Sequence, residues 1–380
     1  MTKRPVLRRA ATACGALLVL ALAAATSASP VQPQTHAPRK PGHIFILVLE
    51  NESYARTFSP TSPAPYLSKT LAGQGALLRN YYGIGHNSLD NYIALVSGQA
   101  PNVETQRDCK KFTEFKLDRP ALDKNGQAIG SGCVYPSMVP MLGDQLEKAG
   151  KSWRGYMQDL GNDKSKAVEE CGHPTIGESD PTTRRTPTDQ YATKHNPFYY
   201  FHSVIDQKAR CVEHVVNLNR LTDDLKTVAT TPNYSFITPN LCDDGHDAPC
   251  IDKAPGGLVQ ADGFLRTWVP RIMDSPAFKA DGVLIILFDE ASGPPGQDSS
   301  ACCGEQGLPG GPSPGGDGPG GGRTGAVVLS PFVKPGTISD VPYNHYSTLR
   351  WVEDQFGVPH LGYADANGLV TFGVDIFERR

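Results

Sequence analysis

Two short pairs of oxygen-bearing side chains stand out in the chain: Glu50–Asn51 and Asp289–Glu290. Each directly follows a run of six apolar residues, Ile44–Leu49 in one case and Val283–Phe288 in the other. Carboxylates gathered in one place resist ionisation unless a cation compensates them. If the two runs lie side by side, their ends form a site for a hard divalent ion such as Mg²⁺, Ca²⁺ or Mn²⁺. Ser88 opens a third segment, in which Leu89, Tyr92, Ile93, Leu95 and Val96 have helical spacing and Gly98 closes the run. A lone serine in that position is most often an N-cap. The exposed N–H groups and positive dipole of a helix start also suit phosphate, and beside a cation the hydroxyl can act as a nucleophile.

Elements must bring these residues together. Uninterrupted Ile-, Leu- and Val-rich runs fit strands buried on both faces of a parallel sheet, and open α/β sheets bind ligands at the carboxyl ends of their strands. Short strands are expected at Ala76–Tyr82, Ser152–Met157, Tyr234–Thr238 and Ala326–Ser330. Helices are expected at Pro65–Gly73, Ser88–Val96, Ser137–Ala149, Gly257–Met273 and His345–Phe356. Residues 102–135 and 161–196 are polar, aperiodic insertions, Phe198–Val204 and Val212–Leu225 read as surface and helical elements, and the glycine-dense stretch Gly304–Gly325 excludes regular structure. Strands alternating with helices predict an α/β fold, a doubly wound and mostly parallel sheet with helices on both faces.

Composition narrows the function classes. The 380 residues are 39% hydrophobic and 20% charged, with a formal net charge of −3, which gives no electrostatic case for nucleic-acid binding. Lys3, Arg4, Arg8 and Arg9 precede the apolar run Ala10–Ala25, and small residues follow, so residues 1–28 read as a signal peptide and the product as a secreted protein without a stable membrane anchor. Residues 29–42 read as a flexible lead-in, and 43–380 as one domain. Cleavage removes Cys14 and leaves eight cysteines, an even set that in an exported protein implies disulfides. Short loops favour Cys109–Cys133 and Cys242–Cys250, whereas adjacent Cys302 and Cys303 form either a vicinal ring or two separate long bridges. Oligomeric state has no signature here.

The segments HIFILVLENESY, NYYGIGHNSLDNYIALVSG, PNLCDDGHD, VLIILFDEASG, GGGRTGAVVLSPFVKPG and NHYSTLRWVEDQFGVPHLG occur in this order. Together they resemble the bacterial phosphoesterase family that contains secreted acid phosphatases and phospholipases C, whose fold is similar to that of alkaline phosphatase. The resemblance implies a divalent metal held by Glu50, Asn51, Ser88, Asp289 and Glu290, with Ser88 as the nucleophile. It places His246, Asp247 and His345 at the phosphate site, and His86 and Asn91 beside the nucleophile as phosphate contacts. His360, in a turn, is read as structural. The chain departs from the family pattern at Glu52, where a basic or aromatic residue is commoner, and at Asp90, where proline is usual.

The expected activity is hydrolysis of phosphate monoesters through a phosphoserine intermediate, with His345 or His246 protonating the leaving group. A phospholipase C acting on lipid phosphodiesters would use the same metal and nucleophile but needs an apolar acyl-binding surface, and the insertions are mostly polar. A non-catalytic binding protein has no need of a nucleophile beside four metal-binding groups.

Overall fold

Strand β1 (His43–Leu49) alternates strictly between two hydrophobic cores in the computed structural model, which describes residues 40–163, 171–291 and 298–378. Ile44, Ile46 and Val48 enter one core, and Phe45, Leu47 and Leu49 enter the other. A strand covered on both faces must be apolar at every position, which is why the run lacks polar alternation. β6 (Gly282–Phe288) repeats the pattern: Val283, Ile285 and Leu287 pack on one side, and Leu284, Ile286 and Phe288 on the other.

Around these two the sheet is completed by β2 (Ala76–Leu78), β3 (Trp153–Met157), β4 (Val215–Asn217), β5 (Tyr234–Thr238), β7 (Ala326–Leu329) and β8 (Thr337–Ser339). Their spatial order is β8-β2-β7-β6-β1-β5-β3-β4, and every neighbouring pair is parallel except the two made by β7. Helices α1 (Ser88–Ser97), α2 (Leu142–Lys148) and α4 (His345–Phe356) supply Leu89, Tyr92, Leu146, Leu349 and Trp351 to the first core. Helix α3 (Gly257–Asp274) supplies Leu258, Phe264, Leu265, Val269 and Ile272 to the second. The doubly wound α/β expectation is borne out.

Differences from expectation are local and have physical causes. The strand expected over 76–82 splits, because Tyr81–Tyr82 pairs instead with Tyr343–Asn344 in a separate small sheet. α2 begins at Leu142 and not at Ser137, since Pro140 disfavours helical backbone in the residue before it. The stretch from Phe198 is not a surface element: Phe198, Tyr199, Tyr200 and Phe201 are fully buried, with Phe198 against Trp153 at 4.8 Å between ring centroids. Between 212 and 225 the helical expectation is interrupted by β4.

Four disulfides join Cys109–Cys133, Cys171–Cys211, Cys242–Cys250 and the adjacent Cys302–Cys303. The two short-loop pairings are as expected, and the vicinal alternative holds for the last. Among the described residues no helix is long and apolar enough to cross a membrane. The signal peptide expected at 1–28, the lead-in up to residue 39 and residues 164–170 of the second insertion lie outside the described residues.

Candidate active site

Register decides the first feature of the site. Leu49 pairs with Phe288, so Glu50–Asn51 and Asp289–Glu290 leave the sheet together at the carboxyl ends of β1 and β6. Asp289 Oδ1 accepts the backbone N–H of Asn51 at 2.9 Å and that of Glu290 at 2.7 Å, which ties the two strand ends to each other. Asn51 sits in the left-handed region with φ of 54°, a conformation asparagine tolerates better than most residues. Its Nδ2 donates to Glu50 Oε2 at 2.9 Å.

Ser88 is not the N-cap of α1. Asn87 holds that position and Ser88 is the first helical residue, so its hydroxyl is not spent on the helix backbone. Ser88 Oγ donates to Glu50 Oε2 at 2.9 Å and accepts from Lys194 Nζ at 3.1 Å. Asp108 does part of the capping, accepting the Leu89 N–H at 3.2 Å through Oδ1, while its Oδ2 lies 3.2 Å from Lys194 Nζ.

Three further residues of the site, Lys194, His195 and Asp244, were not singled out in the sequence. Lys194 and His195 belong to the second polar insertion, and Asp244 lies in the PNLCDDGHD segment ahead of His246. His195 is stacked on Tyr92 of α1, with ring centroids 5.2 Å apart and planes within 8°. Its Nε2 lies 3.2 Å from Glu50 Oε1 and its Nδ1 3.5 Å from Asp244 Oδ2. Asp244 is anchored by its own backbone, its carbonyl accepting the Glu50 N–H at 2.8 Å. The one hint in the sequence is that Lys194–His195 immediately precedes the aromatic run Phe198–Phe201, whose burial draws the insertion back toward the sheet.

Buried, like-charged groups dominate the electrostatics. Burial, and after it the charges of Glu50 and Glu290, push the Asp289 carboxyl well above the usual carboxylate range. Asp244 is raised by burial and by Glu50, and Glu290 by burial and by Asp90. Burial also opposes charge on Glu50, but the nearby His195 and Lys194 outweigh it and hold that carboxyl below the usual range. Burial pulls the Lys194 ammonium down, yet the Asp108 and Glu50 carboxylates overcome it and leave it above an ordinary lysine. Both departures from the family pattern join this acidic field: burial raises Asp90 strongly and pushes Glu52 up to about 7 against the opposing charge of Arg56.

These residues fit a cation. Glu50 Oε1, Asp289 Oδ2, Asp244 Oδ2 and both His195 ring nitrogens are buried without a hydrogen bond. One ligand atom each from Glu50, His195 and Asp244 can be chosen within 4.8 Å of one another. Buried polar atoms are normally paired, and a divalent ion would satisfy several of these at once. The donor set, carboxylates with one imidazole, is compatible with hard and borderline divalent ions.

The remaining expected site residues are dispersed over four settings. His246 is about half exposed, its Nδ1 2.8 Å from Asp247 Oδ1, and Asp247 also pairs with Arg185. His246, Asp247 and Arg185 line a cavity of about 210 Å³ together with Lys194, Asp108 and Lys110. His345 is not among the residues lining that cavity and is fully buried: Nε2 donates to the Asp289 carbonyl at 2.6 Å and Nδ1 accepts from Tyr81 O–H at 3.0 Å. Burial lowers its pKa to about 4, so it is neutral. Asn91 is used structurally, accepting the Ile84 and Gly85 N–H groups through Oδ1 and donating through Nδ2 to Glu290 Oε2 at 3.2 Å. His86 Nε2 donates to the Asp298 carbonyl at 3.0 Å.

Residues 60–359 match the Phosphoesterase family, and the chain belongs to that family. It is 26% identical over 329 residues to a probable acid phosphatase of Kluyveromyces lactis, an alignment covering 86% of this chain and 61% of that protein. It is 25% identical over 368 residues to a phosphatidylinositol-3-phosphatase of Mycobacterium tuberculosis, covering 95% of this chain and 93% of that protein. The chain thus spans less than two thirds of the length of the yeast relative. Among solved structures it is similar to a protein in the alkaline phosphatase superfamily from Vibrio parahaemolyticus, with a TM-score of 0.49 and 11% identity, covering 84% of this chain and 67% of that one.

Proposed function

We propose that the chain is an exported, metal-dependent phosphomonoesterase that works through a phosphoserine on Ser88. The observation that carries this reading is the Ser88 hydroxyl itself, which makes no cap bond and instead joins Glu50 and Lys194 among buried ligand atoms that lack a hydrogen bond. Glu50, Asn51, Asp289, Asp244 and His195 would hold a divalent cation, which when bound neutralises phosphoryl charge and lowers the pKa of a nearby hydroxyl.

Ser88 Oγ attacks phosphorus in line while the bond from phosphorus to the ester oxygen breaks. Glu50 Oε2 accepts and orients the hydroxyl, and its carboxyl, held below the usual range, does not keep the proton, which is lost to solvent. The bonding pair departs with the ester oxygen, which takes a proton from the His246 imidazolium at the cavity edge. Water then attacks the phosphoserine and gives a proton to His246 while the bond from phosphorus to Ser88 Oγ breaks. The serine oxygen takes a proton from solvent as phosphate is released, so that two in-line displacements retain configuration at phosphorus. His345, pinned between Tyr81 and the Asp289 carbonyl, positions the strand end. Glu290 orients Asn91, which holds the turn ahead of Ser88. Lys110, Arg185 and Lys194 line the cavity and suit the negative charge of a phosphoryl group. The two relatives named above are both called phosphatases. Four disulfides support an oxidising compartment.

The test is Ser88→Ala against Ser88→Thr with p-nitrophenyl phosphate. Ala should be inactive and Thr weakly active, both with melting temperatures near wild type. Acid quench with ³²P-labelled substrate should trap label on Ser88 in the wild type alone. Near-wild-type turnover in Ser88→Ala would remove the serine mechanism.

A further inference from the structure

We propose that Lys194 is a catalytic residue, a fixed positive charge that stabilises the Ser88 oxyanion and binds a non-bridging phosphoryl oxygen, and that Asp108 is the positioning residue that aims it. The proposal rests on Ser88 being the nucleophile. Lys194 Nζ stands 3.1 Å from Ser88 Oγ and 3.2 Å from Asp108 Oδ2 and lines the cavity into which a substrate must enter. An ammonium has three N–H donors. Ser88 and Asp108 take two, and the third is left for the phosphoryl group.

Charge balance argues the same way. Attack brings a phosphate dianion against Glu50, Asp289, Glu290 and Asp108, and a cation on the Glu50 side offsets repulsion from that side only. Among the described residues, Lys194 has the one ammonium or guanidinium bonded to the Ser88 hydroxyl. A compact point charge suits this task, since it serves the nucleophile and the phosphoryl oxygen at once without the planar fork of a guanidinium.

The backbone around Lys194 is fixed on both sides. Thr193 N–H donates to Thr182 Oγ1 at 2.9 Å, and Thr182 N–H in turn donates to Asp180 Oδ1 at 2.8 Å. His195 is clamped against Tyr92, and its carbonyl accepts from Thr238 Oγ1 at 3.2 Å. Asp108 is fixed by its bond to the first turn of α1. The ammonium and the nucleophile are therefore held to one helix end, an arrangement that costs little reorganisation when charge develops at the hydroxyl.

Lys194→Gln, Lys194→Arg and Asp108→Asn test this, with turnover of p-nitrophenyl phosphate, calorimetric titration of inorganic phosphate, and ³²P labelling of Ser88 as readouts. Lys194→Gln should lose roughly 10²–10³-fold in kcat/KM and about tenfold or more in phosphate affinity. Lys194→Arg should keep phosphate affinity within about threefold while turnover falls, because it retains charge but not the compact geometry. Asp108→Asn should lower kcat with a smaller effect on phosphate affinity. Wild-type phosphate affinity and wild-type labelling rate in folded Lys194→Gln would overturn the proposal while leaving the serine mechanism intact. Absence of label on Ser88 in the wild-type enzyme would instead sink the reading on which it rests. If Lys194→Gln does not fold, Lys194→Arg decides, since unchanged turnover there overturns the role and slowed turnover with retained phosphate affinity supports it.

Discussion

Two histidines that look alike in the sequence have opposite surroundings, and this separates their roles. His246 stands at the cavity edge, about half exposed, with Asp247 on Nδ1; burial lowers its pKa too, but of the two it is the one that borders space a leaving group can enter. His345 has both ring nitrogens engaged inside the protein and a pKa lowered to about 4 by burial. His246→Asn should therefore slow ³²P labelling of Ser88 from an alkyl phosphate by on the order of 10²–10⁴, yet change labelling from p-nitrophenyl phosphate far less, because that leaving group needs no proton. His345→Asn should instead lower the melting temperature, with a cost of about 1–3 kcal/mol for the buried partners it strands. Equal losses on both substrates for His246→Asn would dismiss it as the acid. A third residue, His195, belongs with the cation ligands: His195→Asn should weaken Mn²⁺ binding, measured by calorimetry, by roughly tenfold or more, and unchanged affinity would remove it from the site.

Helix α4 shows how an element outside the site can set the pH at which the protein is stable. Asn344 caps it, accepting the Ser347 N–H at 3.0 Å, and this cap holds His345 against β6. At the other end Glu353 Oε1 accepts the Leu361 N–H at 2.9 Å, while Oε2 is buried without a partner. Burial raises the Glu353 pKa from 4.5 to about 9. The folded state thus holds this proton more tightly than the unfolded chain. Its contribution to stability is fully present below pH 4.5 and is lost as the pH rises through 9, at up to about 1.4 kcal/mol per pH unit. Glu353→Gln should remove that slope, matching wild type near pH 4.5 and exceeding it in melting temperature at pH 8. A wild-type slope retained in the variant would show that another group controls it.

For the molecule as a whole, the buried carboxylates Glu50, Asp289, Asp244 and Glu290 converge where the two halves of the sheet meet. A cation that binds the folded chain and not the unfolded one stabilises it by mass action, about 2.7 kcal/mol at a concentration 100 times Kd. Chelation should lower the melting temperature, and one of Mg²⁺, Ca²⁺ or Mn²⁺ should restore it in a concentration-dependent way. No response to any divalent ion, with activity intact after exhaustive chelation, would rule out a metal mechanism. The disulfides act on the same scale. Exported protein should show no titratable thiols among the eight cysteines paired here, and reduction should lower its thermal stability, since a bridge of this kind typically contributes about 2–4 kcal/mol.

The apolar runs ahead of Glu50 and Asp289 were legible in the chain because a doubly covered strand must be apolar at every position, and a carboxylate can follow only where the strand leaves the core. Local pattern likewise predicted most strands of the sheet, the helices α1, α3 and α4 through their helical spacing, and the two short-loop disulfides through loop length. It could not predict Lys194 and His195. Their stretch has no periodicity, and what makes them functional is contact with Ser88, Glu50 and Tyr92 from distant parts of the chain. Nor could it show that Ser88 leaves capping to its neighbours, since a serine and an asparagine side by side satisfy the same local preference. His246 and His345 were equivalent as letters, and only burial distinguished them. Local pattern thus set where charge could emerge from the core, whereas the three-dimensional packing chose which distant side chains meet it there, because a hydroxyl, an ammonium and a carboxylate gain a shared chemistry only within hydrogen-bond distance of one another.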